Sequence, residues 1–283
     1  MQRFFHSVAI VGKYIQEHTH DEVLRLARHL KSKGLTVYLE ERTATHLDLA
    51  EFPALALQDM GAQTDLVIVL GGDGTMLGVA RGIGEVPLVG INLGRRGFLT
   101  DLRTDDMYSA LEQILEGHCS EEARFLLTVA VQRGERTIYS SQSFNDVVIK
   151  SGLRLIEMVV HIDQELVHKQ RSDGLIIATP TGTTAYALSA GGPILHPSVE
   201  AILLAPVCPH TLSNRPIVVN SNSHISVSLL QSDEANLSVD GQFVSKLVVG
   251  DVIQVWRSSH KVILLHPKHY CYFEMLRSKL NWG

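Results

Sequence analysis

Disulfide chemistry, a bilayer span and the common phosphate-binding signatures are all missing from this chain. Its 283 residues hold three cysteines, Cys119, Cys208 and Cys271, a scattered and odd set with no Cys-x-x-Cys spacing. That excludes a disulfide framework and points to a reduced, cytoplasmic protein. No apolar run approaches the roughly 20 residues that cross a bilayer. Met1–His6 leads straight into a strand-like Ser7–Val11, with no signal-peptide core or cleavage site, so no secretion is expected. Fourteen histidines fall in no zinc spacing, which makes them ordinary surface and core residues and leaves no protein metal site to assign. There is no Gly-x-x-x-x-Gly-Lys-Ser/Thr, so a Walker-type NTPase is excluded. Gly82-Ile83-Gly84 runs into Glu85-Val86-Pro87, which spoils a strand–Gly-x-Gly-x-x-Gly–helix unit and disfavours a hydride-transferring dinucleotide enzyme. A net charge of -5, with 19% charged residues, argues against a general binder of nucleic acid or membrane surface.

What is present has an ordinary globular balance, 45% apolar, over a length sufficient for two domains. The first 120 residues alternate strands and helices. Residues 7–13, 35–40, 66–70 and 86–93 read as strands; a helix after Thr19 carries Leu24, Ala27 and Leu30 on one face, and Thr104–Leu115 is amphipathic. This order indicates an α/β domain with a mostly parallel, Rossmann-like sheet. From residue 121 to 267 the texture becomes short, regularly spaced strands, which indicates a β-sandwich-like second domain. Residues 268–283 hold a last helix expected to pack back.

Chemistry concentrates in a few turns. Leu66–Leu70 runs into Gly71-Gly72-Asp73-Gly74-Thr75, a turn at the carboxyl end of a buried strand, where open α/β sheets bind ligands. Its glycines let bare N–H groups approach an anion. A carboxylate in a phosphate cradle needs a metal or a proton to abstract, so the turn reads as a phosphoryl-transfer site. A second loop, Asn92–Thr100, carries Arg95 and Arg96 as phosphate-facing or simply solvated residues. Asp173–Tyr186 repeats strand, Gly/Thr turn and helix, with Thr181 and Thr183 as N-cap candidates of a helix start that is either an anion site or an ordinary capped helix. Tyr186 fits either base stacking or the core. Asn145-Asp146 fits a fork-like grip on two ribose hydroxyls or a plain turn. Arg171 and Asp173 read locally as a solvated pair, and Gln242 as a hairpin residue after Asp240-Gly241.

Taken together, Gly71–Thr75, Asn145-Asp146 and Thr179-Pro180-Thr181-Gly182-Thr183-Thr184-Ala185-Tyr186 through Gly191-Gly192-Pro193 resemble the NAD kinase family. The first element is shared with diacylglycerol and sphingosine kinases, and closely with phosphofructokinases. The order and spacing of the others are specific. The resemblance covers nearly the whole chain, with Thr183 where many members have serine and Asp146 where others have glutamate. It implies ATP-dependent phosphorylation of NAD, with the active site in a cleft between the domains and Asp73 as general base. Gly72, Gly74 and Thr75 would line the polyphosphate, and Asn145 and Asp146 would hold NAD hydroxyls. Arg154, Arg171 and Asp173 would border the dinucleotide. Thr184, Ala185, Tyr186, Ala187, Leu188 and Ser189 would cradle its nucleoside part, and Gln242 would close the pocket. It further implies a divalent cation, Mg²⁺ first, held mainly by substrate phosphates, and a homo-oligomer, dimer or tetramer.

Overall fold

The computed structural model describes residues 5–13, 19–94, 97–152, 154–211 and 213–282. The chain forms two compact units, Met1–Ala123 with Val262–Gly283, and Arg124–Lys261.

In the first unit the strands are β1 (Ser7–Gly12), β2 (Thr36–Glu40), β3 (Ala54–Leu55), β4 (Leu66–Leu70), β5 (Leu88–Asn92) and β6 (Leu102–Arg103). All pair in parallel, in the order β6-β5-β4-β1-β2-β3. Every residue of β4 and of β5 is buried, as expected where helices cover both faces of a parallel sheet. Helix α1 (Thr19–Ser32) has Asp21 and Glu22 in its first turn and His29 and Lys31 in its last, each sign matched to the helix dipole. It buries Val23, Leu26, Ala27 and Leu30 against the sheet, so the inward face begins one residue before Leu24. Each fully buried Leu or Ile of this kind contributes about 1.5–3 kcal/mol. Residues around Thr43, polar in sequence, form helix α2 (Glu41–His46). Its cap is Glu40, an unusual capping residue, whose carboxylate accepts the Thr43 N–H at 2.7 Å and the Thr43 hydroxyl at 2.9 Å. The unit is completed by α3 (Met60–Gln63), α4 (Asp73–Ala80) and α5 (Met107–Leu115).

The second unit is all antiparallel. It holds most of β7 (Cys119–Arg133), then β8 (Arg136–Ser143), β9 (Asp146–Ser151), β10 (Ile156–Ile162), β11 (Glu165–Ser172) and β12 (Gly174–Ala178). A four-residue helix α6 (Tyr186–Ser189) follows. After it come β13 (Ala201–Val207), β14 (Ile217–Asn220), β15 (Ile225–Gln231), β16 (Ala235–Val239), β17 (Gln242–Leu247) and the first part of β18 (Val252–Pro267). One sheet has the order β14-β13-β12-β9-β16-β17. Alternate residues from its inner face (Val147, Ile149, Leu175, Ile177, Leu237) meet Val129, Met158, Val160, Val227 and Ile253 from the remaining strands. Two sheets sharing one core make a sandwich. The outer face of β12 is also buried, under α6: Ile176, Ala178 and Leu203 pack with Ala187.

The two apolar stretches 252–256 and 262–265 belong to one strand, β18, in which Ser258–Lys261 continue the extended backbone. Its last residues return to the first unit, where Leu264 pairs with Leu88 of β5 and Leu265 joins the core. There too, His266 Nδ1 lies 3.0 Å from Asp101 Oδ2 and its Nε2 3.3 Å from Glu122 Oε2. Burial opposes a charge on this imidazole, but the two carboxylates outweigh it and raise its pKa. Helix α7 (Tyr272–Leu280) buries Tyr272, Met275 and Leu276.

Candidate active site

Strand β4 delivers the chain to Gly71-Gly72, and α4 begins at Asp73 with Gly72 as its N-cap. Gly71 is required by its own surroundings, because a Cβ there would lie 2.7 Å from the Thr75 hydroxyl. Gly72 and Gly74 are different. No described atom lies within 4 Å of where a Cβ would sit on either, and neither has a positive φ. The fold gives no reason for glycine at these two positions. What they leave is open backbone at a helix start, where N–H groups have no partner within the helix.

The Asp73 side chain turns onto the loop after β5. Its Oδ1 accepts the Leu99 N–H at 3.0 Å, the Thr100 N–H at 3.3 Å and the Thr100 hydroxyl at 3.3 Å. Its Oδ2 accepts the Phe98 N–H at 2.8 Å. Arg95 and Arg96 lie outside the described residues.

In the second unit, a pocket of about 380 Å³ is lined by Asn145, Asp146, Val148, Lys150, Ala185, Tyr186, Ser238, Asp240 and Gly241. The Asn145-Asp146 turn is fixed from two sides. Asp240, in the left-handed region at φ 49°, forms a tight Asp-Gly hairpin turn with Gly241 at φ 74°. Its Oδ1 accepts the Ser143 hydroxyl at 2.8 Å and the N–H groups of Phe144, Asn145 and Asp146 at 3.1, 2.8 and 3.2 Å. From the other side the Thr179 hydroxyl donates to the Phe144 carbonyl at 2.7 Å, and the Thr179 N–H to the Asn145 carbonyl at 2.9 Å. Gly182 packs so closely that a Cβ would lie 2.1 Å from the Asn145 carbonyl oxygen. Asn145 is left half-buried, facing the pocket.

Burial first, and the neighbouring Asp240 second, push the Asp146 carboxyl up from 3.8 to about 7. Near neutral pH it can therefore both donate to and accept from a hydroxyl. The shift has a stability consequence. An acid whose pKa rises on folding holds its proton natively while the unfolded chain releases it, so stability is lost as pH climbs from about 4 through 7. Asp146→Asn is expected to raise the melting temperature at pH 8 and leave it almost unchanged at pH 4. An equal increment at both pH values would show that charge is not the cause.

The segment after β12 differs from its sequence reading. Thr181–Thr184 is a single 3₁₀ turn and α6 has four residues, so there is no anion-binding helix start, and neither element has a side-chain cap. The hydroxyls stitch the turn instead: Thr183 donates to the Pro180 carbonyl, Thr184 to that of Thr181, and Thr181 accepts from Arg124. Tyr186 is a pocket residue, half-buried, with Lys150 Nζ 5.9 Å from its ring centroid. Ala187 is fully buried in the core under α6 and presents nothing to a ligand. Thr184, Leu188 and Ser189 flank the pocket in sequence without lining it, and Gln242 is exposed at the start of β17.

Arg154, Arg171 and Asp173 gather in a second pocket of about 460 Å³, with Leu155, Gln231 and Asp233. Arg154 pairs with Asp233 at 3.2 Å, both exposed, a contact worth little by itself. Register relates the two pockets. Asp146 stands opposite Ala178 and Lys150 opposite Gly174, so the first pocket runs along the whole β9–β12 ladder, and its Lys150 end lies next to Asp173 of the second. The sequence reading missed Lys150, Ser238 and Asp240. Among the described residues no group of three or more His, Cys, Asp or Glu side chains could hold a metal ion, and no helix is long and apolar enough to cross a membrane.

Comparison with known proteins bears on this geometry. Residues 8–119 match the ATP-NAD kinase N-terminal domain and residues 144–266 the ATP-NAD kinase C-terminal domain. The NAD kinase of Thiobacillus denitrificans is 48% identical over 287 residues, covering 100% of this chain and 99% of that protein. The NAD kinase of Aromatoleum aromaticum is also 48% identical, covering 100% and 96%. Among solved structures, yeast NADH kinase complexed with NADH superposes with a TM-score of 0.88 at 27% identity, over 98% of this chain and 86% of that one. An NAD kinase from Archaeoglobus fulgidus in complex with ATP gives 0.76 at 25% identity, over 98% and 100%. With such likeness along its whole length, the chain belongs to the NAD kinase family.

Proposed function

We propose that Asp73 is the general base of this chain's ATP-dependent phosphorylation of NAD to NADP, taking the proton from the 2′-hydroxyl of the adenosine ribose. The observation that carries the donor side is the pair Gly72 and Gly74, glycines the fold itself does not require, flanking an acid at a helix start. Open backbone there suits a polyphosphate, with Thr75 beside it. A sugar hydroxyl is a weak nucleophile, and the acid among the phosphates is there to take its proton. Asn145 and Asp146 grip ribose hydroxyls, and Tyr186 with Ala185 offers an apolar face to a nucleoside. Arg154, Arg171 and Asp173 meet a further part of the dinucleotide, and Thr184, Leu188, Ser189 and Gln242 border it. The solved relatives with NADH and with ATP support both substrate classes.

Phosphoryl transfer to a hydroxyl rests on positioning and neutralised charge, and a divalent cation such as Mg²⁺ would supply the neutralisation. Substrate phosphates would be its main ligands, so it would enter with ATP. Unpaired thiols at Cys119, Cys208 and Cys271 support a reducing, cytoplasmic compartment. Resemblance to the family supports a homo-oligomer, which sedimentation would test. A dehydrogenase that accepts only NADP, coupled to ATP and NAD, should report turnover that chelation abolishes and Mg²⁺ restores. Product with diacylglycerol or fructose 6-phosphate but not with NAD would overturn the acceptor, and no product at all would leave a dinucleotide sensor.

The glycine argument makes a separate prediction. Gly74→Ala adds a methyl group to open space in a helix, so it is expected to stabilise the protein by about 0.5–1 kcal/mol while raising the KM for ATP. A destabilised variant with an ordinary ATP KM would contradict it.

A further inference from the structure

The loop Gly97–Thr100 has no part in the reading above, yet its backbone holds the side chain on which that reading turns. We infer that Gly97 and Thr100 are positioning residues for Asp73: they immobilise its Oδ1 and leave Oδ2 as the oxygen that receives the substrate proton. The inference rests on Asp73 being the base.

The asymmetry of the carboxylate is the first ground. An ionised carboxylate has about four acceptor sites, two on each oxygen. Among the described residues Oδ1 accepts three bonds, from Leu99 N–H, Thr100 N–H and the Thr100 hydroxyl, while Oδ2 accepts one, from Phe98 N–H. Oδ1 is saturated, and a free lone pair remains on Oδ2. The direction of the Thr100 hydroxyl is fixed by a chain of donors. The Gly94 N–H donates to Asn92 Oδ1 at 2.6 Å, which orients the amide. Asn92 Nδ2 then donates to Thr100 Oγ1 at 2.9 Å, so the hydroxyl spends its own proton on Asp73.

The second ground is steric. A Cβ on Gly97 would stand 1.9 Å from Asp73 Oδ1 and 2.5 Å from Thr100 Oγ1, so no other residue can occupy the position with the carboxylate where it is. Close approach to Asp73 is by itself sufficient reason for glycine here. The loop is itself supported from beneath. Gly90 of β5 lets it lie backbone on backbone, since a Cβ there would be 2.7 Å from the Leu99 carbonyl oxygen and 2.9 Å from the Thr100 Cα. Thr100 is fully buried. A misplacement of about 1 Å in a reacting group can cost about a hundredfold in rate, which sets the scale of what such a clamp protects.

The test compares Thr100→Val, Thr100→Ser, Asn92→Ala and Gly97→Ala in the coupled NADP assay, with Asp73→Asn alongside and thermal melting to verify folding. Thr100→Val should lower kcat about tenfold or more, the size expected for one donor to a charged acceptor, with the KM for NAD and for ATP unchanged. Thr100→Ser should restore kcat to within about twofold, because the donor returns and only a methyl group is lost. Asn92→Ala, which frees the hydroxyl to turn away, should fall between them and serves if the valine variant does not fold. Gly97→Ala should lose about a hundredfold or more in kcat. Wild-type kcat in Thr100→Val or Asn92→Ala, or a serine variant as slow as the valine one, overturns the inference. If Asp73→Asn is inactive in that event, the base assignment stands and only the positioning role falls; if Asp73→Asn turns over normally, both fall.

Discussion

Asp73→Asn is expected to lower kcat by about 10²–10⁴-fold while leaving the KM for NAD close to its original value. Asparagine matches aspartate in shape, so it can still present its carbonyl oxygen to the three donors around Oδ1. Its amide nitrogen then takes the place of Oδ2, where it has no lone pair to receive a proton and faces the Phe98 N–H donor to donor. The pocket proposed for NAD shares no residue with this loop, so ground-state binding is expected to change little. Steady-state kinetics with NAD and ATP varied in turn would read this split. Turnover near the wild-type rate would remove Asp73 from the chemistry. A raised NAD KM at constant kcat would make it a binding residue instead.

Asp240→Ala should produce the largest loss of stability together with the largest loss of NAD binding. The carboxylate satisfies the N–H groups of three consecutive residues and one hydroxyl, and alanine leaves those donors without it. Each buried donor left unmade costs about 1–3 kcal/mol, so a total of roughly 3 kcal/mol is a low figure, worth roughly 6–12 °C in melting temperature. Alanine also tolerates the left-handed backbone at this turn less well than aspartate. The KM for NAD should rise at least about tenfold because Asn145 and Asp146 lose their fixed orientation, while the KM for ATP stays the same. Asp240→Asn, which keeps one oxygen and the tolerance for positive φ, should lie between the two. An alanine variant that melts at the wild-type temperature and binds NAD normally would show that the turn is held by Thr179 and Gly182 alone.

Much of this was legible in the residues. A buried strand ending in Gly71–Thr75 marked the turn from which α4 begins at Asp73, and alternation after residue 121 marked the sandwich, because both signals are local. Asn145, Asp146, Ala185 and Tyr186, far apart in sequence, do meet in one pocket. What escaped was long-range or backbone-borne. Asp240 looked like one half of a two-residue hairpin, and nothing near it announces the N–H groups 94 to 96 residues away. In the loop after β5 the residues that stand out are Arg95 and Arg96, whereas three of the four described contacts to Asp73 come from main-chain N–H groups that any sequence possesses. Ala187 sat in a helical stretch where only the packing of α6 on β12 decides which face is core. The continuity of β18 was hidden by Ser258–Lys261, a polar run that reads as a turn until its neighbours are known.

The return of β18 to the first unit bears on how the protein is made. The unit that carries Asp73 is not a contiguous piece of chain: Leu264 pairs with β5, Leu265 fills its core, and His266 is the partner of Asp101, the residue directly after Thr100. During synthesis the first 123 residues leave the ribosome well before these closing residues exist. Until then β5 lacks this neighbour and Asp101 its counter-charge, so the nascent domain carries a strand open to pairing with other chains. The second unit, Arg124–Lys261, is a single stretch and can complete itself first. Catalytic competence therefore arrives only with the last 22 residues, and a fragment ending at the first domain boundary would be an aggregation hazard, not a smaller enzyme.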